Sequence, residues 1–129
     1  MILLAALAVI AGTPVHLECN QRIPNWNTAH YETKTISVQP WICKSAYKAS
    51  SHIVKIKTTA WSLQVLAHES SHLYFGNKAS ERKVECRAIH KMPLLAHLLG
   101  INRRMGKKLQ RTSYWLYQVL IDPGFRCSI

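Results

Sequence analysis

Residues 68–72 read His-Glu-Ser-Ser-His. Positions i and i+4 of an α-helix share a face, so His68 and His72 can offer imidazole nitrogens to one metal ion. Glu69 follows the first histidine directly. Its carboxylate then lies beside the metal and not on it, where a general base for a metal-activated water must be. Zn2+ is the expected cofactor, because it accepts imidazole and carboxylate ligands and brings the pKa of a bound water near neutrality.

Catalytic zinc usually takes three protein ligands. The chain has six carboxylate residues, Glu18, Glu32, Glu69, Glu81, Glu85 and Asp122, and half of them fall between 69 and 85. If the segments flanking Gly76–Ser80 form a helical hairpin, Glu85 lies across from both histidines. Glu81 sits one turn nearer the hairpin on the same face. One glutamate would bind the metal, and the other would hold a ligand imidazole by its second nitrogen. Hairpin geometry favours Glu85 as the ligand and Glu81 as its support, with the reverse left open. His90 and His97 are outlying ligand candidates. Tyr74, His90, His97, Tyr114 and Tyr117 are candidates to stabilise a developing oxyanion, and the sequence assigns none of them.

These side chains need elements to position them. A long helix is expected over 58–76, capped by Thr58 or Thr59, with Trp61, Val65, His68 and His72 at helical spacing and Gly76 and Asn77 ending it. Ser80 is the expected N-cap of a following helix, which Pro93 should kink or split and Gly100 should stop. A last helix runs over 104–121. Short strands precede these helices. Residues 12–19 and 35–41 read as strands, the second ended by Pro40, and the β-branched run 51–59 reads as a third. Residues 20–35 read as loop, and one or two helical turns follow Pro40. Strands first and helices after give an α+β domain spanning 1–129.

At this point 68–88, "HESSHLYFGNKASERKVECRA", resembles the gluzincin metallopeptidases, and in particular short zincin-like proteins of actinobacteria and their phages. The matching residues are His68, Glu69, His72, Leu73, Glu81, Glu85, Cys86 and Ala88. The resemblance implies a zinc-dependent hydrolase, foremost a peptidase, acting on a peptide or protein. It also implies a groove built from an edge strand, expected at 51–57, and the C-terminal helix, with the substrate pairing along that edge. A protein that keeps the scaffold without hydrolysis is the non-catalytic alternative.

The net charge is +11, from 17 Lys and Arg against 6 Asp and Glu, with a dense run at 103–111. Such a chain attracts nucleic acid, anionic lipid or acidic polymers. The stretch ending in that run faintly resembles a helix-turn-helix with Gly100 in the turn, which makes DNA binding the competing expectation. A hydrophobic fraction of 48% excludes disorder. The opening "MILLAALAVIAGTPV" carries about twelve apolar residues, the length of a signal h-region, an anchor, or a buried strand or helix. A signal would mean export or membrane association; a core element would suit the cytoplasm. Cys19, Cys43, Cys86 and Cys127 form no C-x-x-C pair. An exported chain is expected to join Cys19 to Cys43, and Cys86 reads as a packing residue.

Overall fold

The computed structural model describes residues 2–23, 26–49, 51, 53 and 55–128. The apolar opening folds into helix α1 (Ile2–Ala11). Its Leu3, Leu7 and Ile10 recur at helical spacing and are buried against the central helix of the fold. Gly12, at φ +69°, ends it. Of the readings open to this run, the structure shows a helix packed into the core. Among the described residues, no helix is long and apolar enough to cross a membrane.

Leu7 is fully buried. Leu7→Ala should cost about 2–5 kcal/mol by deleting buried methyl groups and leaving a cavity. Urea unfolding measures this; a cost below about 1 kcal/mol would mean that α1 does not pack on the core.

Three strands follow: β1 (His16–Glu18), β2 (Thr28–His30) and β3 (Thr35–Ser37). They form one sheet of order β1-β3-β2. β1 runs parallel to β3, and β2 runs antiparallel with Ala29 opposite Ile36. β2 lies in the segment read as loop. Three residues are too few to show an alternating pattern, and pairing with β3 is what makes them a strand. Helix α2 (Pro40–Ala49) begins at the proline, and the Cys19–Cys43 disulfide ties it to the end of β1.

The strand expected over 51–59 does not form. Helix α3 begins at Ile56 and runs to Phe75, and Ser51, Ile53 and Lys55 lie in no strand. His52 and Val54 lie outside the described residues. Thr59 is inside the helix, and Lys55 stands at the N-cap with no side-chain cap bond. The reason is tertiary. Every residue from Ser62 to Ser71 is buried, so α3 is enclosed on all sides. Packing of that helix extends it back over a stretch whose local preference is strand.

Ser80 caps helix α4 (Glu81–Leu98), its hydroxyl accepting from the Lys83 amide at 3.2 Å. Pro93 neither splits nor ends α4. A proline cannot bond the carbonyl four residues back, here that of Ile89. Gln110 of helix α5 (Arg103–Leu120) donates its side-chain amide to that carbonyl at 2.9 Å. The two helices approach closely there, since a Cβ on Gly106 would lie 3.3 Å from the Ala96 Cβ. The neighbouring helix therefore repairs the bond the proline breaks. The tail after α5 folds back, with Phe125 fully buried, and a Cys86–Cys127 disulfide fastens it to α4. Cys86 is thus half of a cross-link, not a simple packing residue. The fold is α+β, with α3 at the centre of a helical layer and the small sheet at one side.

Candidate metal centre

The hairpin of α3 and α4 turns at Gly76, whose amide donates to the His72 carbonyl at 2.9 Å and whose φ is +76°. This turn sets the first two turns of α4 against the last two of α3. His68 and His72 come from α3, and their rings meet edge to face with centroids 4.9 Å apart.

Glu81 reaches both imidazoles. Its Oε2 lies 2.9 Å from His68 Nε2 and its Oε1 lies 3.1 Å from His72 Nε2. The ligand atoms of His68, His72 and Glu81 fall within 4.8 Å of one another. Glu85 lies behind them, fully buried. Its Oε1 accepts from His68 Nδ1 at 2.7 Å and from Gln64 Nε2 at 2.6 Å. Glu81 therefore faces the convergence point and Glu85 lies against the far side of an imidazole, the reverse arrangement that the sequence left open. Gln64, which no motif marks, stands four residues before His68 on the same helical face, the signal that could have pointed to it.

The charges follow from this geometry. Burial pulls the His68 pKa down, but hydrogen bonds to Glu81 and Glu85 and the nearby carboxylate charges outweigh it and raise it to about 10. With an acceptor on each nitrogen, the metal-free ring is an imidazolium at neutral pH, so a metal ion entering there must displace a proton. Burial and the His68 charge lower the pKa of His72. The His68 hydrogen bond holds Glu81 below the usual range. Burial pushes Glu85 up, opposed by the His68 and Gln64 bonds. Burial also raises Glu69 to about 7, with the His68 charge pulling against it.

His68, Glu69, His72 and Glu81 line an open cleft of about 460 Å³. Its floor is α3, from Trp61 to His72; one wall is Asn27, Thr28 and Ala29; the other is Tyr117 and Ile121 at the end of α5. The sheet edge in the cleft is thus β2, in place of the edge expected at 51–57. The C-terminal helix contributes as expected. Tyr117 stacks 6.4 Å from His68 and lines the cleft. The other oxyanion candidates are elsewhere. Tyr114 accepts from the Cys127 amide, Tyr74 lies under the Arg87 guanidinium, and His90 and His97 are exposed on α4.

No protein-family model matches this chain, and no curated protein or solved structure matches it either. What the site can do is therefore argued from its own atoms.

Proposed function

We propose that the chain is a zinc-dependent hydrolase acting on peptide bonds, with His68, His72 and Glu81 as metal ligands and Glu69 as general base. The observation that supports this reading is the convergence of two imidazole nitrogens and one carboxylate in a cleft whose floor also carries buried Glu69. The donor set fits zinc: two nitrogens and a carboxylate oxygen, with the second nitrogen of one ligand fixed by a carboxylate. Zinc held there supplies Lewis acidity, polarising a carbonyl and bringing the pKa of water near 7.

The chain's own groups do the rest. Glu85 and Gln64 hold the His68 ring so that Nε2 faces the cleft. Glu69 accepts the proton of the attacking water and returns it to the leaving amine. Burial raises its carboxyl in the metal-free protein, and a bound dication would favour the carboxylate form that the base needs. The unpaired side of β2 offers backbone groups to an extended substrate. Tyr117 closes the opposite wall.

Metal content of untagged protein tests the reading. One zinc per chain is expected in the wild type and none in His72→Ala, with hydrolysis of an unstructured polypeptide stopped by chelator and restored by zinc. Well-folded wild type that binds no stoichiometric zinc overturns it.

A second reading rests on α5, whose Arg103, Arg104, Lys107, Lys108 and Arg111 are all exposed. It makes the chain a nucleic-acid or anionic-polymer binder. It requires binding that weakens steeply with salt and survives chelator.

A further inference from the structure

Cys86 and His90 are four residues apart on α4 and so share one face. Cys127 reaches that face from the C-terminal tail. The two sulfurs and a His90 ring nitrogen lie within 4.8 Å of one another. We propose that Cys86, His90 and Cys127 form a second metal site, for zinc or another thiolate-preferring divalent ion, that becomes available when their disulfide is reduced.

The tail is held in place by more than the disulfide. Phe125 is fully buried. Gln118 donates its side-chain amide to the Phe125 carbonyl at 2.8 Å, and the Cys127 amide donates to the Tyr114 hydroxyl at 2.6 Å. Arg82 grips both carboxylate oxygens of Asp122 at 2.7 and 2.9 Å. Opening the sulfur bridge therefore leaves both thiols beside His90 instead of freeing the tail. A tetrahedral zinc at its usual bond lengths spaces such ligand atoms roughly 3.3–3.8 Å apart, which small side-chain rotations supply.

The bridge is also the more accessible of the two. Cys86 and Cys127 are both half-buried, whereas in the other disulfide Cys19 is half-buried and Cys43 is buried. Access favours thiol exchange. Two molecules of a thiol reductant carry the two electrons. They become one disulfide, and the Cys86–Cys127 bond becomes two thiols. Metal entry then displaces both thiol protons, and the two thiolate charges balance the cation. His90 supplies the neutral nitrogen, and the exposed side of the site leaves a fourth position to solvent. The effect is to exchange a covalent link between α4 and the tail for a coordinate one.

This site is independent of the cleft, and the test keeps them apart. Cobalt(II) is titrated into His72→Ala protein, oxidised and then reduced with a phosphine, which offers the metal no sulfur. The reduced protein should bind one cobalt with a thiolate-to-cobalt charge-transfer band, and the oxidised protein should show no such band. Adding His90→Ala should weaken that binding by more than the roughly 10–100-fold typical of losing an outer partner of a metal ligand. Circular dichroism follows the fold throughout. The proposal is overturned if the reduced folded protein shows no thiolate band. It is equally overturned if reduction unfolds the chain, or if His90→Ala leaves the affinity unchanged, which would assign the band to cysteines alone.

Discussion

Glu69→Gln is expected to give a folded, zinc-loaded protein that hydrolyses peptides more slowly by a factor on the order of 10²–10⁴, the usual contribution of a positioned general base. The substitution keeps the size and shape of the side chain of a residue that is only 7% exposed, so packing is preserved. It removes the one property the role needs, a carboxylate that can take a proton. The pH profile carries the same information. On the proposed mechanism Glu69 acts when ionised, so activity should fall as pH drops through its pKa. Without metal that pKa is about 7, raised by burial. A nearby dication favours the carboxylate, so the acid limb in the loaded enzyme should lie below pH 7. That limb should vanish in Glu69→Gln. A variant with wild-type rates would remove Glu69 from the mechanism. One that loses zinc along with activity would make Glu69 part of the metal's support instead.

The second large effect separates the two glutamates of α4. Glu81 is exposed, with its side chain 67% accessible. Glu81→Ala should leave thermal stability near that of the wild type while abolishing stoichiometric zinc. Glu85→Ala should do nearly the opposite. It leaves His68 Nδ1 and Gln64 Nε2 buried without their shared acceptor. Breaking a buried, hydrogen-bonded charge contact costs about 3–5 kcal/mol. Zinc affinity should fall by roughly 10–100-fold, because the imidazole loses the partner that orients it. Zinc titration and thermal unfolding on the same samples read both. Zinc lost in Glu85→Ala and kept in Glu81→Ala would restore Glu85 as ligand.

Local signals predicted much of this architecture. The Ser80 cap, the α3–α4 hairpin at Gly76 and the strands His16–Glu18 and Thr35–Ser37, found within the expected 12–19 and 35–41, each have a physical cause within a few residues. The failures share a different cause. Pro93 stays inside α4 because Gln110, seventeen residues away in sequence, donates to the carbonyl that the proline leaves free. The run at 56–59 is helical because the buried body of α3 overrides its β-branched composition. Residues 28–30 are a strand only because β3 pairs with them. Cys86 finds Cys127 across 41 residues, a separation that no spacing rule reads.

The candidate site divides in the same way. The sequence by itself determined that His68 and His72 face one point with Glu69 beside them, because a helix repeats every 3.6 residues whatever surrounds it. It also brought Glu81 and Glu85 to one face of α4, since four residues at about 100° each return to nearly the same direction. For that very reason it could not separate them: they differ in height along the helix and hardly in direction. Only the tertiary structure decided how far α4 slides along α3. That displacement set Glu81 level with both Nε2 atoms and Glu85 against Nδ1. It likewise decided that β2 walls the cleft, because strand pairing and helix offset are fixed by contacts between distant parts of the chain, on which local periodicity is silent.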